Sequence, residues 1–278
     1  MRTIMNILSQ PAPHRLPILL YHNVGRLPVE DPHGLTVTPE QFERQMQWLV
    51  SRGYETIWPS DWLAAHKEGK PLPRNPIVLT FDDGYAEMVE YALPVLRRHG
   101  LKAAVYVVTR RLGLTNTWDE MNGRQTMRLM TADQVRQLPG QGIELGSHSR
   151  THSHLTSLSE SQLADEIEGS KNDLQNLLGA EVLSFAYPYG DGADSRIIRE
   201  KLMRSYQLGM TVWDGPNSIE SNPYELRRIA ITPGDSLRDF ERKLRFKKTV
   251  ATLVCELVPL TARRAVRSGA RALRLWRA

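Results

Sequence analysis

The sequence predicts an α/β fold in which strands alternate with helices along most of the chain. Two observations support this prediction. Short apolar runs rich in β-branched residues, such as 77–79 and 103–108, have the length and composition of strands buried in a parallel sheet. Longer segments with apolar residues three or four positions apart, such as 159–178, have the period of a helix. Alternation of this kind implies right-handed crossovers, and about seven strands are enough to close into a barrel.

The predicted strands are short, and polar or glycine-containing segments separate them from the helices that follow. In chain order they cover residues 17–21, 54–57, 77–79, 103–108, 142–146, 182–185 and 208–212. Segment 110–128 shows no clear period, so we expect a long loop there.

The predicted helices lie between these strands. Thr38 is expected to cap the first helix, in which Phe42, Met46 and Leu49 share one face. Ser60 is expected to cap the second. The later helices are predicted over residues 86–99, 131–138, 159–178 and 195–204.

Composition limits the possible classes of protein. At 278 residues, with 41% hydrophobic and 24% charged residues, the chain has the make-up of a globular α/β domain with or without an appendage. Its single cysteine, Cys255, excludes an internal disulfide framework. No apolar run of about 18 residues is present to form a membrane-spanning helix. Residues 1–10 lack the pattern of a secretory signal, so we expect a cytoplasmic location.

The positive charge is concentrated at the C-terminus. Residues 238–278 hold 12 Lys and Arg against 3 Asp and Glu, whereas the chain as a whole carries a net charge of +5. We therefore predict a domain over residues 1–237 and a basic helical extension over 238–278. Because the rest of the chain is mildly acidic, the basic pI does not indicate nucleic-acid binding.

Two adjacent carboxylates, Asp82 and Asp83, come three and four residues after the end of the strand at 77–79. Successive side chains of an extended segment point in opposite directions, so the two carboxylates can hold different functions. In α/β folds, the carboxyl ends of parallel strands are where binding and catalytic residues collect. The alternative is that Asp82 caps the following helix and Asp83 is solvated.

Three histidines fall within seven residues after the predicted strand at 142–146. His148 and His152 are four residues apart, so one turn of chain can direct both imidazoles at one point. Two imidazoles and one carboxylate form a common ligand set for a catalytic divalent metal, zinc above all. Two residues beyond His152, His154 is expected to face away from this site.

These segments resemble motifs of the polysaccharide deacetylase family, which shares a NodB-like domain and forms carbohydrate esterase family 4. Residues 80–85 resemble its first motif and residues 148–152 its second. Supporting similarities are found at residues 185–190, at an opening strand over 16–24 and at a last strand over 224–231. The opening and last strands are similar to those of the exopolysaccharide N-deacetylase type. This resemblance implies a distorted (β/α) barrel of about seven strands.

The resemblance also implies functions for individual residues. Asp83, His148 and His152 correspond to the metal ligands, and Asp82 to the general base that takes a proton from water. The backbone N–H of Tyr189 corresponds to the oxyanion donor. Residues predicted to contact substrate are Tyr85, Trp118, Tyr187 and Pro188. For Tyr187 and Pro188, ordinary packing at the end of a strand is the alternative interpretation.

The sequence departs from the family pattern at two positions. Ala186 stands where the third motif usually has an arginine that pairs with the base, although the exopolysaccharide type is similar in lacking it. Segment 229–233 contains no histidine to act as the usual general acid. We therefore expect His22, at the end of the first strand, to be the acid, or alternatively a packed histidine that orients a loop.

The resemblance implies metal-dependent removal of N-acetyl groups from an amino-sugar glycan or a lipid-linked glycan precursor. Zinc is the expected ion, with cobalt, nickel or iron as alternatives. Two other functions stay open: an amidase acting on a small non-carbohydrate amide, and a non-catalytic glycan-binding module.

A separate prediction concerns residues 260–276, where one face of a possible helix is apolar and the opposite face is rich in arginine. This pattern favours binding to an anionic membrane surface, at the inner membrane if the location is cytoplasmic. The alternatives are a helix docked on the barrel or one that binds a partner.

Overall fold

The computed structural model describes residues 15–26, 34–118 and 126–245. Its strands are β1 Ile18–Tyr21, β2 Asn23–Val24, β3 Thr36–Val37, β4 Glu55–Thr56, β5 Pro76–Phe81, β6 Ala103–Val107, β7 Ile143–Ser147, β8 Ser184–Ala186, β9 Leu208–Met210 and β10 Ile229–Ala230. Its α-helices are α1 Pro39–Ser51, α2 Pro59–Glu68, α3 Leu93–Arg98, α4 Ala132–Gln137, α5 Glu160–Ala164, α6 Ser170–Leu178, α7 Arg196–Ser205 and α8 Leu237–Leu244. Turns of π-helix precede α3 at Met88–Ala92 and separate α5 from α6 at Asp165–Gly169.

The main sheet is parallel and follows the order β10-β1-β5-β6-β7-β8-β9, and β4 pairs with β5 beside this path. Seven strands curl into an incomplete barrel with helices around it, which confirms the predicted fold class. Segment 223–226 lies against β9 at the open side, where the Gly209 N–H donates to the Pro223 carbonyl (2.8 Å) and the Leu226 N–H donates to the Gly209 carbonyl (3.0 Å). The same segment continues into β10, so it partly fills the gap between the two edge strands.

Alternating side chains of the strands fill the barrel interior. The buried cluster there includes Val78, Ala104, Tyr106, Ala186 and Met210. Each large apolar side chain removed from water in this way contributes about 1.5–3 kcal/mol to folding. Since both faces of the sheet are covered, its strands are mostly apolar, as the sequence pattern predicted.

Helix capping follows the sequence in one case and departs from it in another. Thr38 caps α1 as predicted and accepts a hydrogen bond from the Gln41 N–H (3.2 Å). The prediction that Ser60 caps the second helix is wrong, because α2 begins at Pro59 and its cap is Trp58. Ser60 instead donates its N–H to the Glu144 side chain (3.2 Å).

Glu144, on β7, is the basis of a stability prediction. Its Oε1 is buried and has no hydrogen-bond partner among the described residues, and burial raises the pKa of its carboxyl to about 7. A folded-state pKa above the unfolded value stabilises the fold at low pH, and this stabilisation is lost as the pH rises from about 4.5 through 7. The free energy of unfolding should fall by about 3 kcal/mol over this pH range, and we expect Glu144→Gln to abolish this fall. Urea unfolding of both proteins at pH 5 and pH 8 measures it, and equal pH dependence in the two proteins would contradict it.

The carboxyl ends of five neighbouring strands, β1, β5, β6, β7 and β8, lie at the same edge of the barrel. Tyr21 pairs with Phe81 across β1 and β5, and Ser147 pairs with Phe185 across β7 and β8. The residues that follow these strands therefore meet at one end of the molecule. No helix among the described residues is long and apolar enough to span a bilayer.

The remaining predictions on the termini cannot be placed on the fold. Residues 1–14 and 246–278 lie outside the described residues, and with them the predicted amphipathic helix at 260–276. The predicted domain boundary after residue 237 stays a prediction.

Candidate metal centre and active site

Asp83, His148 and His152 converge at the edge formed by the strand ends. The Oδ1 atom of Asp83 lies 3.4 Å from Nε2 of His148 and 3.2 Å from Nε2 of His152. All three side chains are buried, and together they form a group able to hold a metal ion. This convergence places side by side the three residues that the sequence predicted as ligands.

The spacing of these atoms fits a divalent transition metal. Ligand atoms that sit about 2.0–2.2 Å from one ion in tetrahedral geometry are separated from each other by about 3.3–3.6 Å. Oδ1 of Asp83 is buried and makes no hydrogen bond among the described residues, as expected of an oxygen reserved for a cation. Two imidazoles and one carboxylate leave further positions open, which is typical of catalytic rather than structural sites.

The imidazole of His148 is held in one orientation. Its Nδ1 is 2.8 Å from the carbonyl oxygen of Ala186, so the Nδ1–H donates there and leaves Nε2 as the ligand atom. His152 is fixed differently, because its ring stacks on Trp118 (4.4 Å between centroids) and meets the Tyr189 ring edge-on at the same distance. Trp118, predicted to face substrate, therefore forms one wall of the site.

Backbone strain is concentrated in this site. Among the described residues, the non-glycine residues with positive φ are Asp83 (69°), Ser149 (65°), His152 (64°) and Tyr189 (58°). Each such conformation costs on the order of 1–3 kcal/mol and persists only where the surrounding structure enforces it. The next residue after the Asp pair, Gly84, also has positive φ, and a Cβ there would lie 3.0 Å from the Val107 side chain. Strained positions of this kind cluster at functional sites.

Asp83 and the histidines shift each other's pKa values. Burial alone would raise the pKa of the Asp83 carboxyl, but the two histidines outweigh burial and hold it well below its usual range. Burial would lower the pKa of His148, yet Asp82 and Asp83 raise it, whereas burial prevails at His152 and lowers its pKa. The carboxylate thus stays ionised, as a metal ligand must.

Asp82 lies beside the triad and forms a buried ion pair with Arg228. The two carboxylate oxygens accept from Nη1 and Nη2 of Arg228, each at 2.7 Å, and the Arg228 Nε–H donates to the Thr211 carbonyl (2.7 Å). Burial alone would raise the pKa of Asp82, but the guanidinium overcomes it and keeps the pKa below its ordinary value. Oδ2 of Asp82 also lies 3.9 Å from Nε2 of His148, so the carboxylate borders the metal triad.

This ion pair explains how the base can have an arginine partner although Ala186 stands at the usual position of that arginine. Arg228, which directly precedes β10 and is only 1% exposed, takes the place of the arginine that the third motif lacks. The sequence analysis did not identify Arg228 as the partner of Asp82. The one available signal was the position of this arginine next to the last apolar strand, β10. Such a buried cation requires a buried anion, and Asp82 was the prime candidate.

The predicted substrate contacts do not all reach the surface of the site. Tyr85 is 2% exposed and its hydroxyl accepts from the Asn116 amide (3.2 Å). Tyr187 is fully buried and donates its hydroxyl to the Tyr224 carbonyl (3.1 Å). Pro188 is also buried. These contacts match the alternative interpretation of strand-end packing for Tyr187 and Pro188.

Tyr189, in contrast, is 45% exposed, and its ring stacks on His154 with 4.0 Å between centroids. His154, which the sequence placed outside the site, thus lies at its rim. His22 follows β1 and is close enough to Asp82 for its charge to lower the pKa of that carboxyl. The structure therefore brings His22, the Asp pair, the histidines and Tyr189 to one end of the barrel.

Comparison with known proteins decides the family. A family model described as polysaccharide deacetylase matches residues 69–213, a segment that contains both the Asp pair and the histidine pair. The chain belongs to the polysaccharide deacetylase family. Members of this family are hydrolases that cleave N-acetyl amide bonds in polysaccharides, and the chain is accordingly a carbon–nitrogen hydrolase of this family.

Individual relatives of this polysaccharide deacetylase are distant but cover most of the chain. YxkH of Bacillus subtilis (strain 168), whose name assigns it to the polysaccharide deacetylases, is 28% identical over 224 residues, covering 81% of this chain and 74% of YxkH. The poly-beta-1,6-N-acetyl-D-glucosamine N-deacetylase of Staphylococcus epidermidis is 23% identical over 206 residues, covering 71% of this chain and 68% of that protein. Among solved structures, the Streptococcus pyogenes deacetylase PplD in complex with acetate matches with a TM-score of 0.72 at 26% identity, covering 84% of this chain and 99% of that one.

Proposed function

We propose that this polysaccharide deacetylase hydrolyses N-acetyl groups of an amino-sugar glycan in a metal-dependent reaction that releases acetate. The observation that carries the proposal is the convergence of Asp83, His148 and His152 beside the buried ion pair of Asp82 and Arg228. The first group can hold an ion, and the second presents an ionised carboxylate next to it. Similarity to proteins named as N-deacetylases of poly-beta-1,6-N-acetyl-D-glucosamine supports an amino-sugar polymer as the substrate class.

Zinc is the ion that we propose for the triad, since two imidazole nitrogens and one carboxylate oxygen are ligands it commonly accepts. Cobalt, nickel and iron accept the same ligand types and stay alternatives. When bound, the ion would polarise the amide carbonyl and lower the pKa of water at the site.

The chain's own residues supply the remaining chemistry. Asp82 takes a proton from the attacking water, and Arg228 keeps its carboxylate ionised and fixed in direction. The Tyr189 N–H donates a hydrogen bond to the oxygen that becomes negative as the amide carbon turns tetrahedral. A proton must then reach the amine nitrogen before the C–N bond breaks, and we propose that His22 donates it.

Replacing His22 with Ala tests this last assignment. We expect kcat for acetate release from N-acetylglucosamine oligomers to fall about a hundredfold or more, because an amine leaves poorly without protonation. Hydrolysis of p-nitrophenyl acetate should change little, since its leaving group needs no proton. His99→Ala, a histidine paired with Glu43 away from the site, is the control. Unchanged turnover of the amide by His22→Ala would remove His22 from the mechanism.

The rim of the site offers aromatic rings to a sugar. Trp118 stacks beside His152, and the exposed Tyr189 ring lies at the opening. Rings of this kind contact the apolar faces of pyranoses and favour a glycan over a small amide. Acetate release from acetylated amino-sugar oligomers, compared with release from simple acetamides at equal zinc loading, tests the substrate class. Faster turnover of the simple amides would favour the amidase, and no release from either would favour a glycan-binding module.

A lipid-linked glycan precursor, a cytoplasmic location and contact with an anionic membrane stay predictions. Each depends on the charge pattern of residues 238–278 or on the first residues of the chain.

A further inference from the structure

The loop that carries both histidine ligands needs support from outside itself. It runs from His148 to His152, and two of its residues, Ser149 and His152, have positive φ values of 65° and 64°. Neither is a glycine, so the loop is held in a costly conformation by its surroundings. Because the two imidazoles lie at its two ends, the shape of this loop fixes the distance between two of the three ligand atoms.

Glu166 binds the middle of this loop. One carboxylate oxygen, Oε2, accepts the backbone N–H groups of Arg150 and Thr151, both at 2.9 Å. Oε1 accepts the Thr151 hydroxyl at 2.6 Å. Glu166 is 6% exposed, and hydrogen bonds to a charged acceptor in such surroundings are about twice as strong as neutral ones. A single side chain thus fixes two consecutive peptide units between the ligands.

The opposite side of the loop is held by the segment that follows β6. The Thr109 N–H donates to the Ser149 carbonyl (3.1 Å), and the Arg110 N–H donates to the Arg150 carbonyl (3.0 Å). Two carbonyl groups of the loop are therefore satisfied by residues 109–110, and two of its N–H groups by Glu166. Without Glu166, two partly buried N–H groups would have to find other partners or distort the loop.

An irregular turn in the helical segment that carries Glu166 accompanies this contact. Glu166 lies in the π-turn Asp165–Gly169, where an extra residue is inserted between α5 and α6. The Arg150 side chain crosses this turn and pairs with Asp173 through Nε (2.8 Å) and Nη2 (2.7 Å). A Cβ on Gly169 would lie 2.5 Å from the Arg150 guanidinium carbon, so glycine leaves the room that this crossing needs. Insertions of this kind are frequent at functional sites.

We propose that Glu166 is a positioning residue that sets the metal-binding geometry of His148 and His152, and through it the affinity of the site for zinc. Its hydrogen bonds go to the loop backbone and to Thr151, so it acts through the loop. The inference rests on the proposed function, since it assumes that the triad binds a metal. A purely structural Glu166 would affect the stability of the fold and leave the affinity of the folded protein for zinc unchanged.

Zinc titration of the metal-stripped, full-length protein against a chromophoric chelator tests the proposal. We expect Glu166→Ala to weaken zinc binding about 10- to 100-fold, the range observed when groups that orient metal ligands are removed. Glu166→Gln should recover part of the affinity, because its amide oxygen can accept the same two N–H groups. The control is Glu168→Ala, two residues away and exposed, which should bind zinc like the wild-type protein.

Circular dichroism and the melting temperature of each metal-free variant establish that it is folded at the temperature of titration. Wild-type affinity in folded Glu166→Ala would overturn the proposal. If Glu166→Ala does not fold, Glu166→Gln and Thr151→Val decide, and wild-type affinity in both would overturn it equally. A wild-type protein that binds no zinc would instead contradict the proposed function, and the inference with it.

Discussion

Asp82→Asn is expected to lower kcat for acetate release by about a thousandfold while the protein still binds one metal ion per chain. The amide has nearly the shape of the carboxylate but cannot accept a proton from water at neutral pH. Asp83, His148 and His152 are unchanged in this variant, so their ability to hold an ion should persist. Metal content by elemental analysis and acetate release, measured on the same sample, check both halves of the prediction.

Two controls make the result specific to the base. Asp191→Asn changes another carboxylate near the rim, which accepts hydrogen bonds from the Thr156 N–H and hydroxyl, and should keep most of the activity. Asp83→Asn should lose metal and activity together. The account would be contradicted by an Asp82→Asn protein that keeps its activity with metal bound.

Arg228→Met is expected to destabilise the fold by about 3–5 kcal/mol and to remove most of the activity. Methionine fills much of the volume of the arginine but leaves the Asp82 carboxylate, 2% exposed, without the partner that makes both of its short hydrogen bonds. An unpaired buried charge is among the costliest defects in a protein interior. Urea unfolding at neutral pH measures the loss.

The double variant Asp82→Asn with Arg228→Met separates stability from catalysis. Removing both charges abolishes the unpaired anion, so we expect much of the lost stability to return while the activity stays absent. Arg227→Met is the matched control, since this neighbouring side chain donates to the Asp214 carbonyl at the surface and should contribute less than about 1 kcal/mol. Arg228→Met with the stability and activity of Arg227→Met would show that the pair is dispensable.

The metal triad could be predicted from the sequence because its information is local. Asp83 lies two residues after the end of one buried strand, and His148 and His152 lie on a single short loop after another. In a parallel sheet the ends of neighbouring strands meet at one edge, so two local patterns were enough to place three side chains together. The barrel was predicted from local patterns too. A chain in which apolar strands alternate with helices has few other ways to cover both faces of its sheet.

Arg228 could not be assigned in the same way. It is 146 positions from Asp82 in the sequence, and the pairing depends on how the segment before β10 fills the open side of the barrel. Glu166 is a similar case. The direction of its side chain depends on the residue inserted in the π-turn, and the apolar spacing of this segment is that of a regular α-helix. The burial of Tyr85 and Tyr187 was not predicted for a related reason. An aromatic ring at the end of a strand can point into the core or towards solvent while the pattern of apolar residues in the sequence stays the same.

The central claim is that Asp83, His148 and His152 hold one ion on which hydrolysis depends. Stepwise addition of zinc to the metal-stripped protein, with acetate release measured at each step, tests it most directly. We predict negligible activity without metal, a linear rise, and saturation at one ion per chain, with no such rise in His148→Ala or His152→Ala. Full activity of the metal-stripped protein, or an unchanged titration in either histidine variant, would contradict the claim.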